Sequence, residues 1–155
     1  MQLQAEQVAL IRRSFAQIEP IAPLAAGLFY GQLFALAPEI RPLFRYEPGS
    51  PGMAQQGSKL MQMLGVAVAH LDRLDEVTPA LEALARRHVA YGVEPAHYDL
   101  VGAALLWTLA QGLGDDYTPQ VAAAWAALYD TLAAVMLRAA HVHTDQLAAE
   151  RAMRF

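Results

Sequence analysis

Apolar residues along this chain recur every three to four positions and almost nowhere alternate, which predicts helices rather than strands. A first helix is expected from about Gln4 to Gln17, with Val8, Ile11, Phe15 and Ile18 on one face. Pro20 and Pro23 open a second, Ile21 to Leu36, whose apolar face carries Leu24, Leu28, Phe29 and Leu33. Pro38 starts a short segment, PEIRPLF, ending at Phe44, and RYEPGSPG (45–52) is a loop rich in Pro and Gly. Met53 to Leu71 reads as a helix buried along Leu60, Met63, Leu64, Ala67 and Val68. Thr78-Pro79 and Thr118-Pro119 each pair an N-cap threonine with proline at the first helical position. The first pair opens a helix to about Ala90 that Gly92 ends. The second opens a long helix through Trp125, Leu128, Leu132, Val135 and Met136, and Glu94-Pro95 starts the helix between them. About seven helices, one of them short, joined by brief loops, make an all-α chain.

Composition narrows the function classes. At 155 residues the chain suits one domain with a real core, and 55% apolar against 17% charged residues is too apolar for disorder. The net charge of -4 offers no basic field to nucleic acid. With no cysteine, disulfides, thiolate nucleophiles and iron–sulfur clusters are excluded. The N-terminal MQLQAEQVALIRRSFAQ has no long apolar run after a basic start and does not read as a signal peptide. The low-charge stretch from Tyr98 to Asp115 is broken by Gly102, Gly112 and Gly114, so it reads as a buried helix rather than a membrane span. The expected compartment is the cytoplasm, with no membrane partner.

One stretch, LARRHVAYGVEPAHY (84–98), concentrates candidate chemistry. His88 follows Leu84 by four residues and Leu81 by seven, which puts it on an apolar helix face, with Arg86 and Arg87 on others. Two readings are open for such a residue. It is a core histidine bonded to a carbonyl, or the single imidazole that a heme iron requires, the porphyrin supplying the other four nitrogens. Zinc does not fit, because no second ligand lies at helical spacing. The heme reading demands an apolar, flat pocket with a few polar groups opposite the histidine. Upstream, Tyr30 lies on the second helix and Phe44 ends the short segment, while Gln56, Lys59 and Leu60 share one side of the next helix at i, i+3, i+4. Taken singly, Tyr30 also fits a core tyrosine and Gln56 a solvated helix residue.

The stretches LFALAPEIRPLF, KLMQMLG, RRHVAYGVEPAHYDLVGAALL and AAWAALYDTLAAVM occur in the order and spacing of a globin. The chain resembles bacterial single-domain globins and the heme domain of flavohemoglobins, and is similar to neuroglobins, over roughly residues 5 to 140. The resemblance implies a globin fold, a three-over-three helical sandwich around heme b. It implies that His88 is the proximal iron ligand and that Tyr30 and Gln56 are the distal polar pair. Phe44 would pack on the heme plane, Leu60 shape the distal pocket, and Lys59 meet a propionate. Tyr98 matches the proximal tyrosine of the flavohemoglobin-type domain, and Val93, Val101 and Leu105 should line the proximal side. The Leu84 carbonyl, one turn before His88, is the natural acceptor for its second ring N–H.

This constellation implies reversible binding of O2, CO and NO with high oxygen affinity, because both Tyr30 and Gln56 can donate to a partly anionic ligand. Glutamine coordinates iron poorly, so no bis-histidine state is expected. The alternative is an enzyme, a nitric oxide dioxygenase that draws electrons from an external reductase, since no Gly-rich dinucleotide fingerprint is present. A sensor globin would need an output domain, and a heme-free regulatory globin would not need His88, Tyr30 and Gln56. One departure stands out: where the flavohemoglobin-type domain pairs a glutamate with its proximal histidine and tyrosine, this chain has Ala140. His97 reads as a surface or helix-end residue, as do His70, His141 and His143. Residues 1–140 are expected to form the globin domain. The tail from 141 to 155 either lengthens the last helix or mediates self-association; the oligomeric state is open.

Overall fold

The computed structural model describes residues 3–153, and among them there are helices and no strands. Six α-helices follow in order: α1 (Ala5–Ile18), α2 (Ala22–Leu36), α3 (Pro51–Ala69), α4 (Thr78–Tyr91), α5 (His97–Leu113) and α6 (Pro119–Met153). The expected short segment is a 3-10 helix, Pro38–Leu43, and further 3-10 turns lead into α2 and α4 and out of α5. Three helices, α1, α3 and α4, lie over α2, α5 and α6. The chief packing pairs are α4 with α6, α2 with α5, α2 with α3, and α1 with α6. This is the three-over-three sandwich expected from the sequence.

Each boundary has a local cause. Ser50 caps α3, its hydroxyl accepting from the Met53 amide at 3.2 Å, and Thr118 does the same for Val121 at the start of α6. Gly92 ends α4 in the left-handed region at φ 94°, and the amide of Val93 returns to the His88 carbonyl at 2.9 Å. Thr78 is a correction. It is already helical, because a 3-10 turn (Leu74–Val77) runs straight into α4, and its side chain makes no cap. Glu94-Pro95 likewise forms a turn ahead of α5, which begins at His97. There the His97 ring accepts from the Glu94 amide at 3.0 Å, so this histidine is a helix-end residue held by its own turn.

Leu24 is a second correction. Spacing puts it on the buried face of α2, but it is 60% exposed, and the face turned inward is Ala25, Ala26, Phe29, Tyr30 and Leu33. Nearly every position of α2 is apolar, so spacing alone does not choose a face; packing against α3 and α5 does. α6 runs unbroken through residue 141 to Met153. By length and composition it alone among the described helices could cross a membrane, yet Trp125, Leu128, Met136 and Ala140 lie buried against the bundle.

The apolar interior falls into two clusters. The larger surrounds Trp125 and takes in Phe15, Phe29, Tyr30 and Leu105. The smaller joins α4, α5 and α6 through Leu81, Ala85, Tyr98, Met136 and Ala140.

Candidate functional site

Tyr30 belongs to the larger cluster and His88 lies on the helix that walls the smaller one, so the two candidate poles fall to different cores. Seven of the candidate residues share one property. Phe44, Gln56, Leu60, Leu84, His88, Val93 and Val101 are neither buried nor fully exposed. Apolar side chains left half-covered keep surface that a bound apolar molecule can still bury.

Tyr30 is 7% exposed, and aromatic rings hold it on three sides. Phe29 meets it edge-on at 5.0 Å between centroids, Phe44 edge-on at 5.5 Å, and Phe34 stacks at 6.0 Å. Phe34 and Phe44 also meet each other at 5.2 Å. Burial pushes the Tyr30 hydroxyl up to about 12, and the nearby Gln56 side chain works in the opposite direction. The phenol therefore stays protonated and able to donate throughout the physiological range. Gly57, the residue after Gln56, lets α3 lie close on α2: a Cβ there would stand 2.7 Å from the Ala26 methyl.

His88 is half-buried near the end of α4. Its Nδ1 is fully buried and makes no hydrogen bond. Burial pulls its pKa below the usual imidazole value, the Leu84 carbonyl works against this, and the Arg87 charge adds a smaller downward push. That carbonyl is thus near enough to bias the proton without forming a bond of good geometry. A neutral imidazole with one nitrogen turned inward is the form that ligates a metal through the other. Tyr91 stands beside it, ring centroids 6.1 Å apart.

Tyr98 is buried in the smaller cluster with its hydroxyl unpartnered, and burial raises its pKa. Its backbone is fastened: the Tyr129 hydroxyl donates to the Tyr98 carbonyl at 2.6 Å, over Gly102, where a Cβ would stand 2.7 Å from the Tyr129 ring. Leu105 sits in the larger core, lining with Leu60 and Phe29 a small apolar cavity, rather than beside Tyr98. Lys59 is exposed. Spacing gives no role to Phe34, although it follows Tyr30 by one helical turn, nor to Gly57 and Tyr129. No group of three His, Asp or Glu side chains suited to a metal ion occurs among the described residues. His70 closes α3 against the Val66 carbonyl at 2.8 Å, and His141 pairs with Asp145 at 3.4 Å on an exposed face of α6.

Comparison with known proteins is consistent with this arrangement. A family model described as Globin matches residues 27–136. The chain is 30% identical over 135 residues to a flavohemoprotein of Vibrio cholerae, covering 87% of this chain and 34% of that protein. It is 32% identical over 145 residues to a neuroglobin of Tetraodon nigroviridis, covering 88% of this chain and 91% of the relative. A flavohemoprotein of Deinococcus radiodurans is 31% identical over 135 residues, with 33% of its length covered. The chain thus spans about a third of the flavohemoproteins it matches and most of the neuroglobin.

Proposed function

The chain belongs to the globin family, and from that premise we propose that it is a heme protein that binds diatomic gases reversibly, with high affinity for oxygen. What supports the reading beside the family is a half-buried His88 whose Nδ1 is buried and whose pKa burial lowers, together with a buried Tyr30 that stays protonated. Heme held by one imidazole would supply an iron able to bind a gas. In this reading the donor set fits: His88 would hold the iron, and Leu84, Val93 and Val101 would pack against the heme on its side. Phe44 and Leu60 would pack on the other face, and the exposed Lys59 would meet a propionate.

Tyr30 and Gln56 set the ligand preference. Both donate hydrogen bonds, and a ligand that takes on negative charge gains more from them than carbon monoxide does. A hydrogen bond to a charged group contributes about 1.5–3 kcal/mol, or roughly ten- to a hundredfold in affinity. The flavohemoproteins among the relatives favour a second reading, since they carry a globin-like segment within a longer chain. It is oxidation of nitric oxide by oxygen to nitrate, with electrons from a separate reductase. Ala140 on α6 places no carboxylate behind His88, which supports gas binding over strongly oxidative chemistry.

The test is an absorption spectrum of the purified protein as isolated, after dithionite, then in air and under carbon monoxide. A heme band in the wild type, lost in His88→Ala, with reversible changes on adding either gas, is expected. A reduced spectrum that is six-coordinate without added ligand would overturn the open distal side. Sustained nitric oxide consumption with NADH and a reductase, lost in Tyr30→Phe, would favour the second reading.

A further inference from the structure

Phe44 is one of the three rings around Tyr30, yet it stands where the 3-10 helix Pro38–Leu43 gives way to a loop. Its backbone is already extended, at φ -101° and ψ 135°, so the helix does not carry the chain past it. Phe34, on α2, is the second of those rings, and it meets Phe44 edge-on at 5.2 Å. One side chain touches both residues, and it is not an apolar one. It is Arg41, to which spacing assigns no role.

The Arg41 guanidinium lies over the Phe34 ring, 5.6 Å from its centroid. Its Nη1 donates to the Phe44 carbonyl at 3.4 Å, and its Nη2 pairs with a Glu47 carboxylate oxygen at 3.0 Å. In return the Phe44 amide donates to the Arg41 carbonyl at 3.1 Å, so residues 41 and 44 are tied on both sides of the Phe44 side chain. The bond to the carbonyl is long, and the Glu47 side chain is 86% exposed, so neither contact is strong alone. Together with the ring they fix a planar cation at three points. A guanidinium can lie flat on an aromatic face while its fork reaches two oxygens; the compact ammonium of lysine offers no such plane.

We propose that Arg41 is a positioning residue for Tyr30: it clasps the ring of Phe34 and the backbone of Phe44 together, and so holds the aromatic wall against which Tyr30 is oriented. The inference deepens the gas-binding reading and rests on it for its consequence, the direction in which the Tyr30 hydroxyl donates; the clasp itself does not depend on heme. The loop beyond Phe44 is pinned separately, because the Tyr46 ring lies over Gly52 and leaves no room for a Cβ there. Loss of Arg41 should therefore loosen Phe44 without freeing the start of α3.

The clasp is read by 19F NMR of the full chain as purified, labelled with 4-fluorophenylalanine, after dithionite and under carbon monoxide. Five phenylalanines are few enough to assign by substitution. In Arg41→Met, which keeps an unbranched chain over Phe34, the Phe44 resonance should shift or broaden and that of Phe15 should not. Arg12→Met, which loses an exposed pair with Asp72 at 3.6 Å, should move neither. In heme-bound protein the C–O stretch of bound carbon monoxide reads the donors around the ligand. Arg41→Met should move it toward the value in Tyr30→Phe, and oxygen should dissociate roughly two- to tenfold faster. Arg41→Lys should recover only part of either change. An unmoved Phe44 resonance in Arg41→Met overturns the clasp. A moved resonance with an unchanged stretch overturns the positioning of Tyr30. A moved resonance in a protein that takes up no heme keeps the clasp and overturns the gas-binding reading instead.

Discussion

Gly57 and Ala26 meet where α3 crosses α2, so close that a Cβ built on Gly57 would stand 2.7 Å from the Ala26 methyl. The edge of the Tyr30 ring lies 3.9 Å from the same point. This crossing sets how near Gln56, the preceding residue, comes to the Tyr30 hydroxyl. Gly57→Ala should force the helices apart at a cost of about 1–3 kcal/mol. The better helix propensity of alanine returns up to ~1 kcal/mol of that. Net stability should fall modestly and oxygen dissociation should quicken. Ala26→Gly in the same chain should restore both, since it removes the opposing methyl. Denaturant unfolding and stopped-flow dissociation measure the two effects; a Gly57→Ala protein that is more stable and dissociates oxygen normally would show that the crossing does not set the Gln56–Tyr30 approach.

Tyr30→Phe and Gln56→Leu each remove one distal donor while leaving the packing nearly intact. The ring of Tyr30 keeps its contacts with Phe29, Phe34 and Phe44. Oxygen dissociation should accelerate by roughly ten- to a hundredfold for the loss of Tyr30. Carbon monoxide dissociation should change much less. Equal changes for the two gases would mean that the substitutions act through pocket shape rather than hydrogen bonding.

Ser14→Ala isolates a structural bond from the site. Trp125 is fully buried, and its indole N–H donates to the Ser14 hydroxyl at 2.8 Å, while that hydroxyl donates to the Leu10 carbonyl at 2.7 Å. Alanine leaves the indole N–H buried and unsatisfied, which should cost about 1–3 kcal/mol of stability. Gas dissociation rates should not move. Thermal unfolding of the two proteins, followed by Trp fluorescence, measures the loss.

The two ends of the site are legible in the sequence to different degrees. Apolar spacing from Leu81 and Leu84 puts His88 on an inward face, and Gly92 marks the end of its helix through its left-handed backbone. Those signals are local, within one or two turns. The burial of Tyr30 rather than Leu24 is not, because an almost wholly apolar helix offers no polar face to exclude. Nor is Gly57, whose role depends on a residue 31 positions earlier on another helix. Thr78 carries the same cap signal as Thr118, but only Thr118 stands outside its helix, where its hydroxyl accepts from the first turn; a 3-10 turn draws Thr78 into α4. Tyr98 is singled out by family pattern alone. Its hydroxyl is buried without a partner, which no spacing rule within α5 contains.

Stability without heme should depend on pH through His88. Burial holds its folded pKa below the usual value, with the Leu84 carbonyl opposing and the Arg87 charge assisting. In the unfolded chain the same imidazole takes up a proton near about 6.5. Between the folded and unfolded pKa values the unfolded state therefore binds more protons, and stability there rises with pH. Seen from the alkaline side, the contribution is whole above the unfolded value. It is lost as pH falls through that value, and the loss levels off below the folded one. Carboxylates add their own acid dependence lower down, so the quantity to measure is the difference between wild type and His88→Gln. Urea unfolding of the two heme-free proteins across this range should show wild-type stability falling faster on acidification. The difference should reach a plateau once His88 is protonated in both states. Parallel curves would mean that the imidazole is exposed to water in the folded chain, and that its inward-turned nitrogen is not held as described.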